Sequence, residues 1–137
     1  MSGGRLLRAR DPIARAAHDI DDGKVVAVKG IGGFHLAADA TNEDVIRRLR
    51  DLKQRHSKPF ALMARDITSV DKIASVNEAE KRWLTSSASP IVLLKKKLPG
   101  GIAPSVAPGL DTLGVMLPYS GIHLMLLHRT KSPYLVM

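Results

Sequence analysis

Lys53 and Arg55 stand one residue apart at the head of a polar connector, Lys53-Gln54-Arg55-His56-Ser57-Lys58-Pro59. In an extended connector alternate side chains point the same way, so an ammonium and a guanidinium would face one partner. Arginine grips phosphate oxygens with a planar fork, and lysine adds a point charge. The competing reading is a solvated charge run. Upstream, Gly30-Ile31-Gly32-Gly33 forms a glycine-rich turn after a strand. Such turns let backbone N–H groups approach an anion closely. The spacing fits neither the dinucleotide nor the P-loop pattern, so an ordinary tight turn competes with phosphate binding. His35 could orient a substrate or shuttle a proton, or serve as a structural hydrogen-bonder. His123 and His128 lie off the i, i+4 spacing of a helical metal pair and read as structural or exposed. Asp111 could hold Mg²⁺ through water or simply shape a turn. No metal site built from protein ligands is expected.

Composition narrows the classes. The chain has no cysteine, which excludes a disulfide framework, a thiolate zinc site and a thiol nucleophile. That fits a reducing compartment, and a cytoplasmic location is expected. No apolar run approaches the roughly 20 residues of a membrane span. The formal charge of +8 favours anionic partners such as ATP, phosphorylated substrates or RNA. Two Phe, two Tyr and one Trp are too few for a base-stacking platform, so single-strand binding is poorly supported.

The elements that must hold these residues follow from caps and periodicity. Asp11-Pro12 starts a helix carrying Ile13, Ala16, Ala17 and Ile20, and Asp21-Asp22-Gly23 ends it. Lys24–Lys29 reads as a buried strand. Thr41-Asn42-Glu43-Asp44 resembles a capping box, followed by a stripe of Val45, Ile46, Leu49 and Leu52 with Arg47, Arg48 and Arg50 on the other face. Phe60–Ala64 reads as a strand. Asp66 or Thr68 caps a short helix with Val70, Ile73 and Ala74. Asn77–Glu80 caps another, with Trp83 and Leu84 inward. Ile91–Leu94 is a strand with Lys95-Lys96-Lys97 at its end. The stretch from Leu98 to Asp111 is a loop, and Leu113–Leu117 a strand. Ser120 caps an apolar helix, and Tyr134–Met137 begins a further strand. Interleaved strands and helices predict a single α/β domain on a twisted, mixed, open sheet flanked by helices. Residues 1–10 are expected to be a flexible N-terminal segment, with the domain over 11–137. Domains seldom stop inside a core strand, so more chain is expected beyond Met137.

Several segments, in order, resemble the YrdC-like domain of the HypF carbamoyltransferases. They are Val28–Leu36 with Asp39-Ala40-Thr41-Asn42; Leu49-Arg50 leading to Lys53-Gln54-Arg55; Lys58–Met63; Ser89–Leu94; Val106–Asp111; and Leu113–Ser120 with His123. The set covers nearly all of the chain after Arg10. Three departures stand out. Ala38 takes the place of a common cysteine, a matter of packing, since a buried Cys behaves as a small hydrophobe. Gly121 replaces a proline. The family's Leu-Val-Met continues into Thr-Ser-Gly-Asn, whose Ser and Asn belong to its nucleotide site, whereas this sequence ends at Met137. The domain is therefore expected to be partial, with its final strand and downstream region beyond the chain.

The resemblance implies a YrdC-like fold and an adenylate-forming carbamoyltransferase domain. Such a domain joins carbamate, released from carbamoyl phosphate, to ATP with Mg²⁺, giving carbamoyl-adenylate. The carbamoyl group then passes to a HypE-type acceptor protein for the cyanide ligands of [NiFe]-hydrogenase. It implies that Lys53, Arg55 and Lys58 bind ATP phosphates, that Lys29 and His35 serve the carbamate or adenylate, and that Gly32 and Gly33 line the acyl-substrate side. Two alternatives stay open from the wider family. One is a threonylcarbamoyl-adenylate synthase of tRNA modification, and the other a module that binds double-stranded RNA or tRNA.

Overall fold

Asp11 caps the first helix as its sequence predicts. In the computed structural model, which describes residues 8–137, its carboxylate accepts from the Ala14 N–H at 3.0 Å and Pro12 takes the first helical position. Most of the expected flexible segment, residues 1–7, lies outside the described residues. Helix α1 (Pro12–Asp21) buries Ala17 and Ile20 and stops before Gly23, whose φ of 78° suits glycine.

A hairpin follows, β1 (Val26–Lys29) with β2 (Phe34–Asp39), in register Val28 opposite His35 and Lys29 opposite Phe34. Next come α2 (Glu43–Lys53), β3 (Ala61–Ala64), α3 (Ile67–Ile73), β4 (Ala74–Ser75) and α4 (Glu78–Leu84). Then β5 (Val92–Lys96), a 3₁₀ turn at Pro104–Val106, β6 (Thr112–Met116), α5 (Gly121–Arg129) and β7 (Tyr134–Val136) complete the order. The seven strands form one open mixed sheet, β1-β2-β7-β3-β6-β5-β4, in which β3 and β6 are the parallel pair. This is the α/β architecture expected.

Strand alternation separates two apolar layers. On one face Leu62, Ala64, Val115 and Val136 meet Val45, Ile46 and Leu49 of α2, Val70 and Ile73 of α3 and Leu84 of α4. On the other, Val28, Ala37, Met63 and Leu135 meet α1 and α5 through Ala17, Ile20, Leu126 and Leu127. Ala38 is fully buried on the first face, as its reading as a packing residue requires. The helices α1 and α5 do not extend over β5. Leu93, on the α1/α5 side of β5, is therefore 68% exposed, with the adjoining Ile91 at 55%.

Several expectations are corrected. β1 is an edge strand with only Val28 buried, because no strand among the described residues pairs with its outer side. Asn42, not Thr41, caps α2 by accepting from Val45 N–H, and Glu43 turns instead to Ser105. Leu52 lies exposed beyond the stripe, while Arg50 is buried among backbone carbonyls. Trp83 is exposed although its neighbour Leu84 is buried. Ala74 leaves α3 to start β4, and Lys95 and Lys96 lie within β5. The Asn77–Glu80 capping box forms with both reciprocal bonds at 2.8 Å.

Candidate functional site

Helix α2 ends at Lys53, and Gln54 adopts the left-handed conformation at φ 49°. The connector is therefore not extended between Lys53 and Arg55. The turn, rather than strand-like alternation, gathers Lys53, Gln54, Arg55, His56, Ser57 and Lys58 around one open hollow of about 450 Å³. Among the described residues no carboxylate pairs with Lys53, Arg55 or Lys58. Arg55 donates one N–H to the Pro59 carbonyl at 3.0 Å and lies over the Phe60 ring, while its Nε is buried with no acceptor. Cations gathered without a neutralising carboxylate give the hollow a positive potential.

Two residues, Pro59 and Phe60, separate Lys58 from Ala61, the first residue of β3. Ala61 lines a second hollow, of about 500 Å³, where the α1/α5 layer leaves the sheet open. Its walls include Ile31 of the hairpin turn, His35, Ile91, Met116, Tyr119 and the Ser87–Ser89 turn. Ser89 sits at φ 43° immediately before Pro90, a backbone conformation that costs energy in a non-glycine residue.

Gly30 explains how His35 comes to face this hollow. A Cβ at Gly30 would lie 2.9 Å from His35 Cδ2 and Nε2, so the ring packs where only a hydrogen can stand. The Gly30 N–H closes the turn on the Gly33 carbonyl at 2.7 Å. Across the hollow, Tyr119 Oη lies 3.3 Å from His35 Nε2. Behind both rings His123 is 1% exposed, edge-on to Tyr119 at 4.6 Å and to His35 at 6.1 Å. Neither of its ring nitrogens has a hydrogen-bond partner among the described residues. Burial, and then the neighbouring His35, push the His123 imidazole below its ordinary pKa.

The other residues singled out from sequence fall as follows. Gly32 and Gly33 form the exposed hairpin tip, and Gly33, at φ 150°, is the one whose backbone requires glycine. Lys29 is the cross-strand partner of Phe34, whereas His35 is that of Val28. Alternation thus sets Lys29 and His35 on opposite faces of the hairpin. Lys29 borders a separate apolar groove with Pro12, Ile13, Ala16 and Ile122. Asp111 is exposed, with its carbonyl accepting from Lys96 N–H at 2.8 Å, and His128 is exposed on α5. Gly30, Tyr119 and the Ser87–Ser89 turn were not assigned from sequence. The Tyr119–His35 contact spans 84 residues, and no local pattern signals it.

A mixed open sheet of this strand order defines a fold class, and residues 18–137 match a family of that class. The chain belongs to the Sua5/YciO/YrdC family, described as "Telomere recombination". The carbamoyltransferase HypF of Rhodobacter capsulatus is 47% identical over 126 residues, covering 92% of this chain and 16% of that protein. The crystal structure of T. kodakarensis HypF superposes with a TM-score of 0.92 at 49% identity, over 98% of this chain and 17% of that one. A full-length HypF structure in its phosphate- and nucleotide-bound form gives 0.90 at 45% identity, over 96% of this chain and 17% of that one. A putative threonylcarbamoyl-AMP synthase of Methanocaldococcus jannaschii is 30% identical over 73% of this chain and 48% of that protein. The chain thus carries a YrdC-like domain of a transferase-type enzyme family and spans about one sixth of the HypF proteins it matches. No helix among the described residues is long and apolar enough to cross a membrane.

Proposed function

We propose that this domain binds ATP with its triphosphate on the Lys53–Lys58 connector and forms carbamoyl-adenylate from a carbamate held beside His35. The observation that carries the reading is the cluster of Lys53, Arg55 and Lys58 around one open hollow, with no carboxylate paired to them among the described residues. The likeness to HypF carbamoyltransferases, and to a HypF structure bound to phosphate and nucleotide, supports it. A carbamate oxygen attacks the α-phosphorus and forms the new O–P bond. The bond from that phosphorus to the bridging oxygen breaks, and pyrophosphate leaves with the electron pair. The protein's part is positioning and fixed positive charge, with Lys53, Arg55 and Lys58 on the leaving phosphates. The connector offers no carboxylate, so Mg²⁺ would be held by phosphate oxygens and would share their charge. Gly30 and Gly33 shape the acyl side, with His35 and Tyr119 placed to hydrogen-bond the small acid. In a HypF-type protein the carbamoyl group would go on to a HypE-type acceptor.

The test is exchange of labelled pyrophosphate into ATP. Exchange is expected with ammonium carbamate and Mg²⁺, and not with threonine plus bicarbonate. Exchange that needs threonine would move the domain to threonylcarbamoyl-adenylate synthesis, and exchange indifferent to either acid would overturn the acyl assignment.

A further inference from the structure

Arg50 is the one cation on α2 that the sequence assigned to solvent and the fold took inside. It is 9% exposed and has no carboxylate partner among the described residues. Instead its Nε donates to the Ser105 carbonyl at 2.5 Å and Nη2 to the Val106 carbonyl at 3.2 Å. Nη1 donates to the carbonyls of Arg55 at 2.8 Å and Lys58 at 2.9 Å. Its guanidinium carbon lies 4.7 Å from the centre of the Phe60 ring, which Arg55 also overlies at 5.4 Å.

A buried charge is costly unless its donors are satisfied. A neutral amide side chain would offer two N–H donors, too few for four carbonyls. Only the guanidinium fork reaches the Arg55 and Lys58 carbonyls of the basic connector and the Ser105–Val106 turn at once. Helix α2 is tied to that same turn at its other end, where Glu43 accepts from Ser105 N–H at 3.0 Å and Oγ at 2.5 Å. In a trans peptide the C=O and the next N–H point in opposite directions. Drawing the Arg55 carbonyl inward therefore turns the His56 N–H away from Arg50. Burial, and then the neighbouring Arg55 guanidinium, lower the pKa of Arg50, as like charges set close together repel. An anion in the hollow would relieve that repulsion.

We infer that Arg50 is a positioning residue for the triphosphate site: by holding the carbonyls of Arg55 and Lys58 it fixes the connector in its anion-receiving shape and adds a buried positive charge behind it. This rests on the phosphate reading of the connector given above.

The experiment measures binding of inorganic triphosphate by calorimetry to the wild type, Arg50→Lys, Arg50→Met and Arg65→Lys, with thermal melting of each. Arg65 is the matched control. It also donates to two carbonyls, of Leu127 at 2.7 Å and Thr130 at 2.8 Å, but far from the connector. Both Arg50 variants are expected to weaken triphosphate binding, Arg50→Met by about tenfold or more and Arg50→Lys by less. Arg65→Lys is expected to lower the melting temperature and leave the affinity unchanged. Wild-type affinity in both Arg50 variants, or an equal loss in Arg65→Lys, would overturn the inference while leaving the phosphate site in place. No triphosphate binding by the wild type would remove the phosphate reading itself, and the inference with it. A wild-type measurement covers the case in which the Arg50 variants do not fold. The Arg50 Nε–H resonance is expected to shift on saturation with triphosphate and that of Arg65 to stay; an unmoved Arg50 signal contradicts the proposal.

Discussion

Gly30 and His35 set the finest scale of the proposed acyl side. The ring lies where a Gly30 side chain would be, at 2.9 Å, whereas a Cβ at Gly32 meets nothing within 4 Å. Gly30→Ala is therefore predicted to displace His35 from Tyr119 and to slow adenylate formation, while Gly32→Ala leaves it unchanged. The His35 ring resonances and the pyrophosphate exchange rate read both. Equal effects of the two substitutions would reduce the turn to a generic glycine bend. His123 makes a pH prediction. Its imidazole, facing His35 and Tyr119, is held below the ordinary value of 6.5. Above that pH it is neutral in both folded and unfolded chains and contributes no pH dependence. As pH falls below about 6.5 the unfolded chain takes up a proton that the folded ring refuses, so stability declines. Urea midpoints between pH 7 and 5 should fall in the wild type and less steeply in His123→Leu. Sequence alone named His35 and the Lys-x-Arg pair. It named Gly30 only as one glycine of a turn and did not single out Tyr119, because the reason for each is a side chain that arrives only in three dimensions.

At the scale of elements, the residues that satisfy their own backbone were the most legible. Asp11-Pro12, Asn77 with Glu80, and Ser120 all cap the helices expected of them. Those signals are local, a side-chain oxygen meeting an orphan N–H within one turn. Positions that depend on a distant neighbour were misread. β1 looks buried from its apolar run but has no strand on its outer side among the described residues, and Arg50 looks solvated because its carbonyl partners lie in another turn. β2 went unassigned, since Phe34-His35-Leu36-Ala37-Ala38-Asp39 has neither β-branched residues nor a clear alternation. Gly121 yields a prediction here. It is the first residue of α5, capped by Ser120, and a Cβ there would meet nothing within 4 Å. Proline suits that position because its missing N–H has no partner to lose. Gly121→Pro should raise unfolding stability by about 0.4–1 kcal/mol through the unfolded chain's lost freedom. A lower urea midpoint would show that α5 starts differently.

Across the whole molecule, two helical layers cover the sheet unequally. One face is covered by α2, α3 and α4, while the other is left open over β5, next to the connector that leads into β3. The chain's charge of +8 is thus given a focus by a handful of cations that no carboxylate among the described residues neutralises. The most direct test of the cationic connector as the triphosphate site is carbamate-dependent exchange of pyrophosphate into ATP by the wild type, Lys53→Ala, Arg55→Ala and the exposed control Lys81→Ala. Each connector variant is expected to lose about tenfold or more, and the control to exchange at the wild-type rate. Connector variants that exchange as fast as the control would contradict that role.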